Sequence, residues 1–199
     1  STKETIFILI YANAYNFMDG INGITGGYSL VVLGALAYIN IKIVSFVETD
    51  FIYTSLCAVL VFNFFNFRKC AKCFAGDVGS VSIAFIILFL IGKLIIKTGD
   101  FSWIILLVVY GVDSVLTIIH RLMLHENIGL PHRKHLYQIM VNELKIPHVA
   151  VSSIYMMVQA AVIVGYLVFA EWGYFYLLGI VVLLSIIYVL FMKRYFCLC

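Results

Sequence analysis

Long apolar blocks constrain this chain more than any other feature of its sequence. Between Asp100 and Arg121 lie twenty residues in which Asp113 and His120 are the only members of the Asp, Glu, Lys, Arg and His group. A helix of about 20 apolar residues is long enough to cross a hydrocarbon core of roughly 30 Å. Charged residues make up 12% of the chain, against about a quarter in a soluble domain, and the mean hydropathy is +1.08. The sequence therefore predicts an all-α, polytopic transmembrane helix bundle.

Seven hydrophobic segments can be delimited, and we expect them to form about seven spans of one integral membrane domain, residues 1–199. The first segment is short, begins close to Ser1, and lacks the basic start and small-residue cleavage site of a signal peptide. We therefore expect the chain to begin inside a longer protein. The segments are 5–17, 23–40, 50–66, 80–97, 101–120, 148–170 and 172–192.

The distribution of basic residues predicts the orientation of the spans, because Lys and Arg in short loops favour the cytoplasmic side. If the spans alternate, one side holds nine basic residues, and that side is predicted to be cytoplasmic. The formal net charge of +3 is too small to indicate a nucleic-acid partner, and nothing in the sequence sets an oligomeric state. The nine residues are Arg68, Lys69, Lys72, Arg121, Arg133, Lys134, Lys145, Lys193 and Arg194.

Four of the five cysteines also fall on the predicted cytoplasmic side, in two close pairs. Cys70 and Cys73 form a C-x2-C pair, and Cys197 and Cys199 lie near the end of the sequence. Two such pairs could supply a four-cysteine zinc site. Reduced thiols in a cytoplasmic loop and tail are the interpretation that we favour.

A first polar constellation follows the first hydrophobic segment, at its predicted cytoplasmic end. Residues three apart on a helix lie near one another around the axis, so Asn13, Asn16 and Asp19 are expected to fan across one face. Gly20 and Gly23 then allow a tight turn into the next span. Amide and carboxylate oxygens that converge at a membrane surface suit a hard cation or a nucleotide. The alternative is a helix end whose polar side chains only cap its backbone.

A second constellation is the run Phe74-Ala-Gly-Asp-Val-Gly-Ser80, at the cytoplasmic mouth of the fourth predicted span. Asp77 stands between glycines at a predicted helix N-terminus, where backbone N–H groups and the helix dipole favour anions such as phosphate. A carboxylate beside phosphate-accepting amides implies a bridging divalent metal, commonly Mg²⁺. The alternative is an ordinary Asp N-cap.

The third constellation is the loop between His120 and His148, which contains the basic run at residues 132–135. His132, Arg133 and His135, together with the lysine between them, predict a strong anion site. The alternative is a basic juxtamembrane segment that is attracted to anionic lipid headgroups.

Asp113 is separate from these constellations, because it lies inside the fifth predicted span. A carboxylate at that depth is costly unless it is paired or faces water. It either bounds a polar cavity or partners a neighbouring helix, and the sequence does not decide between the two.

Taken together, the three constellations resemble the motifs of the polyprenyl-phosphate N-acetylhexosamine-1-phosphate transferases, in that family's order. The family includes phospho-N-acetylmuramoyl-pentapeptide transferase and undecaprenyl-phosphate N-acetylglucosamine-1-phosphate transferase. Three motifs in order on one predicted side are far more specific than any one of them. The matching runs are Asn13-x-x-Asn16-x-x-Asp19-Gly20-x-x-Gly23, Phe74-x-Gly76-Asp77-x-Gly79-Ser80 and His132-Arg133-x-His135-x-Tyr137-Gln138.

The resemblance implies a reaction at the cytoplasmic face of a bacterial inner membrane. A polyprenyl (undecaprenyl) phosphate would attack the sugar-linked phosphorus of a UDP-sugar, giving lipid-pyrophosphoryl-sugar and UMP. This step would initiate the synthesis of a cell-envelope polysaccharide. Mg²⁺, or alternatively Mn²⁺, would bridge the pyrophosphate and offset charge in the transition state.

The resemblance also implies roles for individual residues. Asp77 and Asn16 would lie at the metal, and Asn13 and Asp19 would help to hold metal or nucleotide. Asn66 matches a nucleotide-contacting asparagine, with Asn63 as a rival for that alignment. The residues expected to hold phosphate or sugar groups are His132, Arg133 and His135, which together with Asp19 and Asp77 form the predicted catalytic set.

Two departures from the family pattern are visible. The family carries an aspartate pair in a cytoplasmic loop ahead of the first motif, and no such pair precedes Asn13 in this sequence. We therefore expect the chain to be the C-terminal portion of an enzyme whose N-terminal spans lie elsewhere. Asn22 occupies a place where many members have Asp, which puts a charge-dependent role there in doubt.

Two other classes of function remain as alternatives. Transporters and channels usually show repeated halves and a site near the bilayer midplane, whereas these two halves do not resemble each other and the polar clusters lie at one edge. A non-catalytic membrane scaffold that retains old motifs is the second alternative.

Overall fold

The structure is a computed structural model that describes residue 11, residues 13–127 and residues 133–195, and every regular element in these ranges is helical. The last turns of a first helical segment cover residues 13–17. Two 3-10 segments, Phe101–Leu107 and Ala170–Trp172, precede the fourth and the last of the later helices. Those later helices are α1 (Ile24–Lys42), α2 (Thr49–Asn66), α3 (Gly76–Thr98), α4 (Val108–Met123), α5 (Leu136–Asn142), α6 (His148–Val168) and α7 (Gly173–Tyr195).

Six helical segments within the described residues are long and apolar enough to cross a membrane. They correspond to six of the seven predicted spans, with boundaries that differ by a few residues, so the all-α membrane bundle is confirmed. Most of the remaining predicted span, 5–17, lies outside the described residues. The spans are Ile24–Lys42, Thr49–Asn66, Gly76–Thr98, Phe101–Met123, His148–Val168 and Ala170–Tyr195.

Helix α1 is the centre of the bundle: 67% of its apolar stretch is buried, compared with 11% of the last span. Two adjacent glycines allow its neighbours to approach. Gly26 lies against Asn63 of α2 and Gly27 against Met156 of α6, and a Cβ at either glycine would overlap those side chains. Small residues at helix contacts are the usual means of close packing in membranes, where association does not depend on the hydrophobic effect.

Buried tyrosines join α1, α4 and α6 in the interior of the membrane region. The rings of Tyr28 and Tyr110 stack with their centroids 3.6 Å apart. The Tyr28 hydroxyl donates to Oε1 of Gln159 at 2.7 Å, and the Tyr110 hydroxyl donates to the carbonyl oxygen of Ile24 at 2.9 Å. Each hydroxyl therefore has a partner within the protein, as buried polar groups in a bilayer require.

The alternation of the helices gathers the three constellations at one end of the bundle, which we call the motif end. Residues 13–23, 66–80, 120–127 and 133–148 all lie there. At the opposite end, the Asn40 amide closes the connection between α1 and α2. It donates to the carbonyl oxygen of Val47 and to Oγ1 of Thr49, and its own oxygen accepts from the N–H groups of Phe46 and Val47.

Candidate active site at the motif end

A hydrogen bond between two side chains joins the first constellation to the second. The Ser80 hydroxyl donates to Oδ1 of Asn16 at 2.7 Å, across 64 positions of sequence. Ser80 is buried in the second turn of α3, so Asn16 is held at the start of that helix. Asn16 was predicted to lie at the metal, whereas no role was predicted for Ser80, although it belongs to the second motif.

The first constellation is only partly helical. The helical segment ends at Phe17, so Asp19 lies beyond it and not on a shared face with Asn13 and Asn16. The predicted helical fan is therefore wrong for Asp19. The chain reaches α1 through Gly23, which has φ +87° and serves as the N-cap. Asn13 is exposed, and Asp19 is half-buried.

The second constellation places a carboxylate in the first turn of α3. The helix begins at Gly76 with Ala75 as its N-cap, so the alternative that Asp77 is the N-cap is wrong. The predicted span begins at residue 80, four positions later, because the glycines and Asp77 before it are not typical of an apolar span. Asp77 is exposed at the membrane mouth, where solvent and ligands can reach it.

Asp19 lies close enough to Asp77 for the charge of Asp77 to affect the pKa of Asp19. Burial raises the pKa of Asp19, the Thr25 hydroxyl opposes this effect, and the negative charge of Asp77 raises the pKa further, so the pKa lies above its usual value. Neither carboxylate takes part in an ion pair within residues 13–127 and 133–195. Two carboxylates in this relation create a local negative potential that a divalent cation would offset.

The donors at this position fit Mg²⁺ better than zinc. Asp19 and Asp77 supply carboxylate oxygens, and Oδ1 of Asn16 retains a lone pair beyond the one that Ser80 uses. Mg²⁺ is commonly bound through one or two carboxylates together with substrate phosphates. A group of three or more His, Cys, Asp or Glu side chains able to hold a metal does not occur in the described ranges.

The cysteines give the zinc alternative no support in the described ranges. Cys70 is an exposed free thiol and Cys73 is a half-buried one. Cys197 and Cys199, the other pair of the hypothetical site, lie outside the described residues.

The third constellation is anchored through His135, which the structure places in the interior. The side chain is 1% exposed, and its Nδ1 lies 3.4 Å from Oδ1 of Asp113. The ring is thus buried against a carboxylate of the bundle, and this contact adds a role in positioning the loop. A contact of His135 with phosphate or sugar stays a prediction.

Asp113 is the structural partner of a neighbouring segment, which settles the choice that the sequence left open. Its Oδ1 accepts from the N–H of Leu136 at 3.1 Å and from the Thr117 hydroxyl at 3.2 Å. Its Oδ2 accepts from the Tyr155 hydroxyl at 2.6 Å. These bonds satisfy a carboxylate that would otherwise be costly inside a membrane, and they fasten the start of α5 to α4 and α6.

The other basic residues of the third motif differ in their surroundings. Lys134 forms a short ion pair with Glu126, which also accepts from Nε of Arg121 at 3.1 Å. These hydrogen bonds from Lys134 and Arg121 hold the pKa of Glu126 below its usual value. Arg133 is exposed. His132, a predicted catalytic residue, lies outside the described residues.

Tyr137 joins the third motif to the first. Its hydroxyl donates to the carbonyl oxygen of Phe17 at 2.8 Å. The Phe17 ring also stacks on His135, with centroids 6.4 Å apart. Tyr137 belongs to the matching run of the third motif, although no role was predicted for it from the sequence. The three constellations thus form one continuous region through contacts that begin at residues 16 and 17.

Asn66 has a different environment from the one that a nucleotide contact would suggest. It is buried, its Oδ1 accepts from the N–H of Gly23 at 2.7 Å, and its Nδ2 donates to the carbonyl oxygen of Cys73 at 2.7 Å. Its rival Asn63 donates to the carbonyl oxygen of Val59 within α2. A nucleotide contact by Asn66 stays a prediction, and the structure adds a role in holding the backbone.

Comparison with known proteins bears on the same region. Residues 4–95 match the model of glycosyl transferase family 4. Over this range the chain is similar to glycosyl transferase family 4. The matched range contains the first two motifs and the Asn16–Ser80 bond, whereas the third motif lies beyond it. The resemblance read from the motifs is confirmed.

Individual proteins also match parts of the chain. A phospho-N-acetylmuramoyl-pentapeptide-transferase of Lactobacillus acidophilus is 37% identical over 83 residues, which is 40% of this chain and 26% of that protein. A probable undecaprenyl-phosphate N-acetylglucosaminyl 1-phosphate transferase of Bacillus subtilis is 29% identical over 137 residues, 66% of this chain and 38% of that protein.

An archaeal protein shows similar identity. A putative UDP-N-acetylglucosamine–dolichyl-phosphate N-acetylglucosaminephosphotransferase of Sulfolobus acidocaldarius is 37% identical over 82 residues, 40% of this chain and 25% of that protein. The chain therefore spans between a quarter and two fifths of the length of these three relatives.

Proposed function

We propose that the protein containing this chain transfers a sugar-1-phosphate of the N-acetylhexosamine type from a UDP-sugar to a polyprenyl phosphate. The products are a lipid-pyrophosphoryl-sugar and UMP. The names of the relatives describe phosphosugar transfer, in two of them to an undecaprenyl or dolichyl phosphate. The family match and the membrane fold support the same class of enzyme for this chain.

The observation that carries the proposal is the meeting of Asp19 and Asp77 beside the Asn16–Ser80 bond. The two carboxylates come from motifs that are far apart in sequence, and they lie at the mouth of a membrane bundle. A soluble phosphate donor and a membrane-bound phosphate acceptor could both reach such a position.

In the proposed reaction a phosphate oxygen of the lipid forms a bond to the sugar-linked phosphorus, and the bond from that phosphorus to the oxygen bridging to UMP breaks. Asp19, Asp77 and Asn16 would hold Mg²⁺, or Mn²⁺ in its place. The bound metal would offset the negative charge that gathers on the phosphate oxygens in the transition state. Arg133 would bind phosphate or sugar oxygens from the exposed loop, while His135 and Lys134 keep that loop in position.

We place the motif end on the cytoplasmic side of a bacterial inner membrane. The nine basic residues of the connections and tail at that end support the orientation. The bacterial setting is supported by two of the three named relatives.

The test is transfer of radiolabelled UDP-N-acetylglucosamine into extractable lipid by the full-length protein in membranes supplied with polyprenyl phosphate and Mg²⁺. We expect labelled lipid from the unmodified protein and none from an Asp77→Asn variant that is present at the same level. Uptake of the label into sealed vesicles without lipid product would instead indicate transport. Absence of transfer with several UDP-N-acetylhexosamines would contradict the proposal.

A further inference from the structure

The loop at residues 67–75, between α2 and α3, is held at both ends by asparagine side chains. Nδ2 of Asn22 donates to the carbonyl oxygens of Arg68 and Lys69 at 3.0 and 3.1 Å. Nδ2 of Asn66 donates to the carbonyl oxygen of Cys73 at 2.7 Å. We call Asn22 and Asn66 the amide clamp.

Asn22 is itself fixed by other elements. Its backbone N–H donates to Nδ1 of His148 at 3.4 Å, and its carbonyl oxygen accepts from the Ser152 hydroxyl at 2.8 Å. The next residue, Gly23, donates its N–H to Oδ1 of Asn66 at 2.7 Å. The N-terminal turns of α6 therefore grip the Asn22 backbone on both sides, and Asn22 is a rigid point from which its side chain holds the loop.

The amide clamp connects the backbone segments that carry the Asp19 and Asp77 carboxylates. Asn22 follows Asp19 by three residues, and the clamped loop runs directly into Gly76 and Asp77. The distance between Asp19 and Asp77 therefore depends on where Asn22 holds the loop. Together with the Asn16–Ser80 bond on the other side of Asp77, the clamp defines the arrangement of the oxygen donors.

We propose that Asn22 is a positioning residue, which holds the 67–75 loop so that Asp77 faces Asp19. The role depends on the amide group, because both loop partners are carbonyl oxygens and need a donor. An aspartate has the same shape but no donor when ionised, and it would place negative charge against two acceptors. The contact between Asn22 and the 67–75 loop is supported by the geometry alone, whereas its effect on catalysis rests on the proposed function.

The first experiment measures the loop without reference to activity. A full-length protein keeps Cys73 and has serine at Cys57, Cys70, Cys197 and Cys199. The half-buried Cys73 thiol is expected to react slowly with a maleimide while the loop is clamped. Asn22→Asp should raise its rate of modification on the order of tenfold, because the loop then opens more often.

Asn40→Asp is the matched control. It removes the same kind of donors from a loop at the opposite end of the bundle. It should therefore lower the stability of the protein by a comparable amount, although Asn40 has no contact with residues 67–75. Cys73 should react within about twofold of the parent rate in this variant. An unchanged rate in Asn22→Asp, or an equal rise in both variants, would overturn the proposal.

The second experiment connects the clamp to the metal. In the full-length protein, Asn22→Leu, which removes the donor without adding a charge beside Asp19, should raise the Mg²⁺ concentration needed for half-maximal transfer by about tenfold, and Asn22→Gln, which keeps the donor, should recover part of the loss. A residue that only stabilised the fold would lower the amount of active protein without moving this midpoint. If the unmodified protein shows no transfer, the proposed function fails, while the Cys73 measurement still decides the loop contact.

Discussion

Oδ1 of Asp113 lies 3.4 Å from Nδ1 of His135, and this pair fastens the third motif to the membrane bundle. Both side chains are almost fully buried. The carboxylate also accepts from the Tyr155 hydroxyl and from the N–H of Leu136, so one charged group holds α4, α5 and α6 together. The histidine is consequently part of the support for the loop.

Replacing either member of this pair should destabilise the protein, because the partner is left buried without its counterpart. Asp113→Asn is expected to cost about 1–3 kcal/mol, the usual range for leaving a buried hydrogen-bonding group without its partner. Thermal unfolding in detergent would measure the loss. The double variant Asp113→Asn/His135→Gln should lose less than the sum of the two single variants, by about 0.5–3 kcal/mol. Strict additivity of the two losses would mean that the pair does not interact.

The sequence indicated that Asp113 was costly at its depth but not what it contacted. Hydrophobic periodicity locates a helix and its faces, whereas the pairing of Asp113 with His135 depends on how the loop folds back over the bundle. The contacts of Asn22 and Ser80 could not be predicted for the same reason, because their partners lie on other elements. Spans such as Ile24–Lys42 could be predicted closely, because each is specified by its own composition.

The ion pair between Lys134 and Glu126 should give a pH-dependent contribution to stability. The pKa of Glu126 is lowered in the folded protein, so the contribution is present above the ordinary glutamate pKa of about 4.3. It is lost as the pH falls through the lower folded value. Glu126→Gln should therefore lower the melting temperature at pH 7 by no more than about 2–4 °C. The difference from the unmodified protein should shrink as the pH falls below the ordinary glutamate value and disappear below the lowered folded pKa. A difference that did not shrink as the pH fell would contradict this explanation.

The ionised carboxylate of Asp19 should lower the stability of the metal-free protein, and bound Mg²⁺ should offset this loss. Its pKa is raised in the folded protein, so ionisation opposes folding, and stability is lost as the pH rises from the ordinary aspartate pKa through the folded one. At pH 7 without divalent cations, Asp19→Asn should melt about 2–4 °C higher than the unmodified protein. Addition of Mg²⁺ should stabilise the unmodified protein and leave the variant unchanged. A variant that melts lower without metal would show that Asp19 has a purely structural role.

The orientation of the bundle can be tested with thiols. Cys70 is exposed at the motif end and should remain unlabelled when intact cells are treated with a membrane-impermeant maleimide. Cysteines introduced at Glu48 and Glu171, which lie at the opposite end, should react under the same conditions. Permeabilised cells provide the control, since all three positions should then be labelled. Labelling of Cys70 in intact cells would reverse the assignment of sides.

Arg133 differs from its neighbours in the third motif because its side chain is exposed while theirs are engaged. Lys134 pairs with Glu126, and His135 is buried against Asp113. If Arg133 binds phosphate or sugar oxygens, Arg133→Lys should reduce transfer although the charge is kept. A guanidinium offers a planar fork for two oxygens, whereas an ammonium group is a point charge. Loss of a charge-assisted hydrogen bond is worth roughly 1.5–3 kcal/mol, or about ten- to a hundredfold in kcat/KM.

Stability measurements separate this effect from the support of the loop. Arg133→Lys should leave the melting temperature unchanged, whereas His135→Ala should lower both the melting temperature and transfer, because it removes the partner of Asp113. Lys134→Ala should have a small effect on both, since it breaks an ion pair near the surface. If the loop only attracted anionic lipid, Arg133→Lys would be neutral, Lys134→Ala would matter as much as Arg133→Ala, and every effect would fade as salt rises. Steady-state transfer by Arg133→Lys, Arg133→Ala, Lys134→Ala and His135→Ala at two salt concentrations distinguishes the two cases. Binding of two oxygens by the guanidinium group depends on geometry, whereas attraction to anionic lipid depends on charge alone.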